Sequence, residues 1–227
     1  MRIKNQMLLL LIIIFLSSCK KNEYQSTPLA SLKVVNAVTD GAMLRLNGVN
    51  ADIYNKGYSM FSILTGHPDI YVWPIDDSLN PYYSNVNKQT AVAPNEIFTL
   101  FLSGEPGNID ALWVKENLPY RGDSTIGIRF INLASNSVPV NVTLSGNLSE
   151  NEFENIDYQG ITDFKTFSAN TAAPDLMFEV RSAADPDLII ATSYIPATFL
   201  RFKNITLVLN GNIGGATAPE VMMMLHY

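Results

Sequence analysis

Cysteine and histidine are nearly absent from this chain of 227 residues, which has one Cys and two His. With Cys19 alone, no intramolecular disulfide can form, so folded domains must be stabilised by burial. His67 and His226 have no metal-ligating partners at suitable spacing, and we expect both on the surface. No nucleophile-elbow motif is present, so we expect no hydrolase of the Ser-His-Asp type.

Positive charge is also scarce, since 15 Lys and Arg stand against 21 Asp and Glu, for a formal net charge of −6. Two of the basic residues, Arg2 and Lys4, belong to an N-terminal leader; without them 13 basic residues remain and the charge is about −8. Such a charge repels phosphate backbones, and no basic run longer than Lys20-Lys21 offsets it. We therefore expect no nucleic-acid partner.

A long apolar run occurs at the N-terminus, where residues 7–16 lead into Leu16-Ser17-Ser18-Cys19. A membrane-spanning helix needs about 20 apolar residues, so a secretory signal fits this run better than a span. Leu-Ser-Ser-Cys resembles the lipobox of bacterial lipoproteins, which implies a signal peptide over residues 1–18 and lipidation of Cys19. Two or three acyl chains make a stable membrane anchor. The alternative is an ordinary signal peptide with an incidental cysteine.

Short apolar runs separated by Gly, Asn, Asp and Pro fill the rest of the chain, and 47% hydrophobic residues exclude disorder for its bulk. Residues 19–30 are polar and are predicted to form a flexible tether behind the lipidated cysteine. Beyond them, runs such as 44–47 and 140–144 alternate at period two, which predicts strands with one buried face. Residues 149–158 are predicted to hold either one helical turn or a loop.

An internal repeat organises these strands. Four segments recur in the same order with offsets of 96, 98, 106 and 107 residues, which indicates a duplication with an insertion after Gly146. The matched pairs are 33–37 with 129–133, 44–48 with 142–146, 68–72 with 174–178, and 99–104 with 206–211. The strand pattern lapses near residues 116–123, where we place the join.

Each copy contains about seven candidate strands with frequent turn signals, as is typical of a small antiparallel sandwich. We predict an all-β chain with two tandem immunoglobulin-like antiparallel β-sandwich domains, over residues 31–120 and 121–227. Asn47-Gly48 and Ser145-Gly146 are predicted hairpin turns, because glycine accepts the positive φ that such turns require.

Each copy also has an opening strand, a strand that closes on Gly, a strand after Pro-Asp and a late Thr-Leu-x-Leu-x-Gly strand. This pattern resembles the bacterial cell-envelope family called domain of unknown function 4397, often duplicated behind a lipobox in Bacteroidetes. The resemblance covers most of residues 31–227. It implies a fold and a location but no activity, so no catalytic residue is carried over.

Aromatic residues are the leading candidates for ligand binding. Tyr82 and Tyr83, with Trp73 before them and Tyr54 and Tyr58 in an earlier loop, are predicted to form a stacking platform for a sugar ring. The alternative is that Trp73 and one or more of the tyrosines pack in the core.

Acidic turns recur in both copies, because Asp76 and Asp77 follow the same strand in the first copy as Asp185 and Asp187 do in the second. Oxygen clusters of this kind bind calcium, although two carboxylates supply only part of a calcium shell. A solvated turn is the alternative, and we expect no organic cofactor.

Two tripeptides, Asp77-Ser78-Leu79 and Asp123-Ser124-Thr125, resemble the acceptor for O-glycosylation of exported proteins in Bacteroidetes. Ser78 and Ser124 are therefore candidate glycosylation sites.

Three classes of function remain: a binding, adhesion or scaffolding module, a fimbrial subunit, and an enzyme. Donor-strand fimbrial subunits lack a strand of their own, whereas both copies here are predicted to close with a last strand, at 111–114 and 221–225. A glycosidase needs two carboxylates in a water-excluding pocket, which small sandwiches seldom provide.

We predict a non-enzymatic lipoprotein of the cell envelope. Lys20 after the cysteine favours the outer membrane by analogy, and a glycan or another envelope protein is the expected partner. The alternatives are a glycan-binding accessory protein of polysaccharide uptake and a fimbria-like subunit.

Overall fold

The computed structural model describes residues 27–87, 90–147, 149–198 and 200–226. Within these ranges the chain forms sixteen β-strands and no helix, so no helix there could cross a membrane. The strands make four four-stranded sheets. Cys19 and the predicted signal peptide lie outside the described residues.

The first domain contains eight strands in two sheets. The strands are β1 (Leu29–Asn36), β2 (Leu44–Leu46), β3 (Asp52–Ile53), β4 (Gly57–Leu64), β5 (Tyr71–Pro74), β6 (Tyr83–Ser84), β7 (Ile97–Glu105) and β8 (Asn108–Lys115). One sheet has the strand order β4-β1-β7-β8, and the other has the order β3-β2-β5-β6.

The second domain repeats this plan. Its strands are β9 (Thr125–Asn132), β10 (Val140–Leu144), β11 (Asn151–Ile156), β12 (Lys165–Ser168), β13 (Leu176–Ser182), β14 (Ile189–Ile195), β15 (Asn204–Asn210) and β16 (Glu220–Leu225). The sheets have the orders β12-β9-β15-β16 and β11-β10-β13-β14, so each strand occupies the place of the strand eight earlier.

The prediction of two tandem β-sandwich domains in an all-β chain is confirmed, with eight strands in each domain where about seven were expected. The pairing is not antiparallel throughout, because β1 runs parallel to β7 and β9 runs parallel to β15. Parallel neighbours require a long crossover. Here the chain passes through the second sheet of each sandwich before it returns beside its first strand.

Local predictions were correct at the turns and wrong at residues 149–158. Gly48 and Gly146 have φ values of 74° and 84° in the turns after β2 and β10, which confirms the hairpins. Residues 149–158 contain β11, not a helical turn or a loop. An irregularity in the β10–β11 pairing places Phe153 and Ile156 on the same buried face, so their spacing of three resembles a helix. The first strand begins at Leu29, inside the segment predicted as tether.

Each domain has a core between its own two sheets. In the first domain, Leu32, Val34 and Leu100 of the β1–β7 pair lie over Leu44 and Val72 of the other sheet. The second domain has the equivalent arrangement. Strand alternation leaves the intervening residues of β1 and β7 on the outer face of their sheet.

Those outer faces pack against each other and join the domains. Val35 and Phe101 of the first domain share an apolar cluster with Ile131, Val208 and Met224 of the second. Val35 and Ile131 are repeat equivalents, as are Phe101 and Val208, so the domains meet through the same face, as copies do across a two-fold axis. The strands β1, β7, β9 and β15 are therefore buried on both sides.

The predicted insertion contributes to this interface. The link between β11 and β12 spans residues 157–164, whereas the equivalent link in the first domain spans 54–56. Tyr158 in the longer link donates a hydrogen bond to Asp110 Oδ2 at 2.9 Å, and its hydroxyl lies 2.8 Å from Ser103 Oγ. Ile161 packs on the apolar cluster between the domains.

Candidate functional site

An open cleft of about 550 Å³ lies at the end of the first domain where β5 finishes. Three segments line it: Ala42, two residues before β2, the loop from β5 to β6, and the turn between β7 and β8. Its polar groups come from Asp76, Asp77 and Asn80, and its apolar surface comes mainly from Tyr82 and three prolines. The cleft therefore unites three residues that the sequence marked for two separate roles.

Hydrogen bonds hold the β5–β6 loop in shape. The backbone N–H of Asp77 donates to the carbonyl of Pro74 at 2.9 Å, and Asn80 Nδ2 donates to Asp77 Oδ2 at 2.8 Å. The hydroxyl of Tyr71 donates to the carbonyl of Ser78 at 2.6 Å. These bonds and the flanking prolines reduce the entropy that the loop would lose on binding a ligand.

Tyr82 connects the cleft to the core. Its ring is half-buried and packs against the core of the first domain, and its backbone N–H donates to the carbonyl of Val72 at 2.8 Å. The backbone N–H of Ala42 donates to its hydroxyl at 3.5 Å. A ring held in this way offers a preformed surface to a ligand.

The chemistry of the cleft suits a neutral, hydroxyl-rich ligand. Carboxylate and amide oxygens accept hydrogen bonds from hydroxyl groups, while aromatic and proline surfaces cover the C–H faces of a sugar ring. Among the described residues that line the cleft there is no Lys, Arg or His. The cleft therefore offers no cation to bind an anionic group.

The other predicted platform residues lie elsewhere. Trp73 on β5 contacts Tyr71, with ring centroids 5.5 Å apart. Tyr83 stacks on Trp113 at 6.1 Å and packs on the core of the first domain, and burial raises its pKa, opposed by a hydrogen bond with Thr90. The core alternative considered for these aromatics thus describes Tyr83 and, in part, Tyr82, which packs on the same core.

Two further tyrosines of the predicted platform separate as well. Tyr54 follows β3 and is 69% exposed. Tyr58 lies between the domains, where the backbone N–H of Leu225 donates to its hydroxyl at 3.2 Å and Lys33 Nζ lies 5.3 Å from its ring centroid. Only Tyr82 of the five predicted aromatics lines the cleft.

The two acidic turns occupy equivalent loops, as the repeat predicts, but each belongs to its own domain. Asp76 and Asp77 follow β5, and Asp185 and Asp187 follow β13. Asp185 Oδ1 accepts the backbone N–H of Asp187 at 3.2 Å, which closes the turn on itself. No group of three or more His, Cys, Asp or Glu side chains that could hold a metal occurs in the described part of the chain. The calcium hypothesis gains no support from this arrangement.

The remaining predicted residues fall into three environments. Ser78 is exposed in the β5–β6 loop and Ser124 is half-buried just before β9, so Ser78 is the more accessible candidate for glycosylation. His67 is exposed, as expected. His226 is 5% exposed, so the expectation of a surface histidine was wrong there. It directly follows β16 and continues its pairing with β15, because its backbone N–H donates to the carbonyl of Asn204 at 2.7 Å. Its ring is covered by Thr206 and Phe164.

A buried polar cluster between the domains was not anticipated. Arg129 Nη2 donates to Glu116 Oε1 at 2.7 Å, and these side chains are 7% and 0% exposed. Arg129 Nε donates to Thr206 Oγ1 at 2.8 Å, and the Thr206 hydroxyl lies 2.7 Å from His226 Nε2. Lys33, the repeat equivalent of Arg129, donates to the carbonyl of Leu225.

Burial controls the protonation of this cluster. Desolvation, with smaller effects of Lys33 and Arg129, lowers the pKa of His226 to about 2. The imidazole is therefore neutral, and Thr206, which accepts from Arg129, can donate to its Nε2. Desolvation also lowers the pKa of Lys33 to about 8, with Glu116 opposing that shift and Arg129 adding to it.

A signal for this interface was present in the sequence. A strand buried on one face alternates apolar and polar residues, whereas a strand buried on both faces reads as a continuous apolar run. Segments 97–102 and 205–209 are nearly continuous in this sense, and they coincide with repeat-matched segments. Lys33 and Arg129 stand in similar apolar runs of the opening strands β1 and β9, and both are buried.

Comparisons with known proteins add little to this geometry. No family model matches the chain, and no curated protein matches it. Among solved structures, it is similar to the C-terminal domain of AlgF from P. aeruginosa. The match has 18% identity and a TM-score of 0.28, and it covers 40% of this chain and all of that domain. The resemblance to domain of unknown function 4397 stays a prediction.

Proposed function

We propose that this chain is a non-enzymatic lipoprotein of the cell envelope that binds carbohydrate through the cleft around Tyr82. The observation that carries the proposal is the convergence of three chain segments on one open cleft with aromatic, proline, carboxylate and amide surface. The loop that supplies most of this surface is held by its own hydrogen bonds. A membrane-anchored protein that binds a ligand without converting it acts as a display or scaffolding module, and this is the role that we propose.

Membrane attachment rests on the lipobox resemblance around Cys19. We expect cells fed a palmitate analogue to label the protein, and we expect Cys19→Ala to abolish labelling and release the protein from the membrane fraction. Unchanged labelling of the variant would contradict the proposal. Fractionation of the labelled protein between inner and outer membranes tests the outer-membrane location.

Carbohydrate binding is tested with a glycan array and polysaccharide pull-down on the purified protein. We expect Tyr82→Ala to weaken binding about tenfold or more, because it removes the stacking surface of the cleft. Asp77→Asn keeps the size of the loop residue and tests the charge of the carboxylate. Tyr54→Ala is the matched control, since Tyr54 is exposed and does not line the cleft. Absence of binding to every glycan, or equal loss with Tyr54→Ala, would refute the proposal.

A fimbria-like subunit is the alternative. Subunits that polymerise by donor strands need a gap in their own sheet. Here β8 pairs with β7 and β16 pairs with β15, so each domain keeps its last strand. We expect a concentration-independent monomer mass by light scattering, whereas filaments would favour the alternative.

A further inference from the structure

A second pocket, of about 210 Å³, opens on the outer face of the second domain. Its floor is the sheet β11-β10-β13-β14 and its rim is the loop after β13. The lining residues are Asn141, Thr143, Asn151, Arg181, Pro186 and Asp187. With the exception of Pro186, all of them carry side-chain groups that form hydrogen bonds.

Strand register brings the polar floor together. Asn141 pairs with Arg181, and Thr143 pairs with Asn151 on one side and with Glu179 on the other. Val142, between Asn141 and Thr143, points into the core of the domain. Because side chains alternate along a strand, Asn141 and Thr143 both face outward.

Arg181 forms a fixed wall of this pocket. It is 7% exposed, and its Nη1 donates to the carbonyl of Pro186 at 2.6 Å, which ties the rim loop to the sheet. Its Nη2 donates to Glu179 Oε2 at 2.5 Å, so the carboxylate of Glu179 balances its charge. The pocket therefore does not select an anion, and a neutral polar ligand fits better.

Thr143 supplies the observation that points to a ligand. The residue is 2% exposed, and its Oγ1 is buried with no hydrogen-bond partner among the described residues. A buried hydroxyl without a partner is destabilising, whereas a ligand hydroxyl beside it would form the missing bond. Thr143 lines the pocket, and by strand alternation its side chain is on the outward face of the sheet, toward the pocket.

The first domain fills the same place with large side chains. By the repeat, Thr143 is equivalent to Arg45 and Glu179 to Trp73, and both pairs are cross-strand neighbours. Arg45 Nε donates to Asp52 Oδ1 at 2.8 Å, and this ion pair occupies the outer face of its sheet. At these two positions the second domain therefore has smaller side chains than the first.

We propose that the second-domain pocket is a carbohydrate subsite that takes a single sugar ring. Its volume is that of about seven water molecules in the liquid, which suits one ring and not a longer oligosaccharide. Thr143, Asn141 and Asn151 bind ring hydroxyl groups from the sheet, and Asp187 binds them from the rim. The subsite extends the proposed carbohydrate binding and does not depend on the Tyr82 cleft.

The test is a titration of the isotope-labelled, purified protein with glucose, galactose, mannose, rhamnose and N-acetylglucosamine, followed by NMR amide shifts. We expect at least one sugar to shift the amides of Thr143 and Asn151. Thr143→Val should weaken that sugar's binding about tenfold, because one hydrogen bond is lost. Its melting temperature should stay equal or rise, since a methyl group replaces an unpartnered hydroxyl.

Thr192→Val is the matched control, because Thr192 is exposed on β14 of the same sheet and does not line the pocket. We expect this variant to bind the sugar like the unmodified protein. Absence of shifts at Thr143 and Asn151 with every sugar overturns the subsite, as does an unchanged dissociation constant for Thr143→Val. Shifts confined to Asp77 and Tyr82 overturn the subsite but leave the proposed function standing.

Discussion

Replacing Glu116 with Gln removes the buried negative charge beside Arg129 while it preserves the volume of the side chain. The Glu116 side chain is 0% exposed and that of Arg129 is 7% exposed, so water cannot hydrate the guanidinium after the change. Gln keeps an oxygen that can accept the hydrogen bond from Thr99 Oγ1, which is 2.6 Å long in the native protein. The perturbation is therefore mainly electrostatic.

Breaking a buried ion pair by removing one partner costs about 3–5 kcal/mol. Because Gln retains hydrogen bonds, we expect Glu116→Gln to lower the free energy of unfolding by about 3 kcal/mol, the lower end of that range. In a chain of this size each kcal/mol lowers the melting temperature by roughly 2–4 °C, so we expect a fall of roughly 6–12 °C. That loss is a large fraction of the stability of a typical protein, which is about 5–15 kcal/mol.

Urea unfolding followed by far-ultraviolet circular dichroism gives the free energy of unfolding. Glu220→Gln is the control, because Glu220 and Lys56 also bridge the domains, at 2.7 Å, but are 48% and 37% exposed. An exposed pair contributes about 0–1 kcal/mol. Equal, small losses for Glu116→Gln and Glu220→Gln would refute the argument that burial makes the Glu116 charge essential.

Three further predictions concern single residues. The pKa of His226 is lowered from 6.5 to about 2 in the folded protein. The free energy of unfolding should therefore fall by up to about 1.4 kcal/mol for each pH unit below pH 6.5, because only the unfolded chain binds a proton there. His226→Gln should flatten the pH dependence of stability to urea between pH 7 and pH 5. Gly104 has φ 87° and a Cβ there would lie 2.3 Å from a backbone oxygen, so Gly104→Ala should cost about 1–3 kcal/mol, more than Gly48→Ala, where the space is open. Tyr158→Phe should cost about 1–2 kcal/mol by thermal unfolding, because the Asp110 carboxylate loses its donor; no change would contradict that role.

Period-two alternation, turn glycines and the four-part repeat were enough to predict two tandem sandwiches and their hairpins. These signals are local, because a side chain's preference for one face of a strand depends on its nearest neighbours. The parallel β1–β7 pair was not predictable in this way. Parallel pairing depends on how the chain returns through the other sheet, and a strand carries no mark of its partner's direction.

The candidate cleft was predictable in part. Asp76, Asp77 and Tyr82 were singled out, and all three line it. They were assigned to calcium binding and to stacking separately, because the sequence does not show that the acidic turn and Tyr82 line one cleft. Tyr58 was expected at the ligand and lies between the domains, since β4 is an edge strand that faces the second domain.

By itself the sequence determined the all-β class, the duplication and the residue types available for binding, and it predicts a leader over residues 1–18. Tertiary structure alone decided which faces meet. Nearly continuous apolar runs indicate that strands such as β7 and β15 are buried on both faces, but only packing of the whole chain shows what covers the outer faces of β1, β7, β9 and β15. That packing brought Glu116 and Arg129 together and moved His226 from the expected surface into a desolvated interface. Contacts across the domain interface depend on three-dimensional complementarity, which no local pattern records.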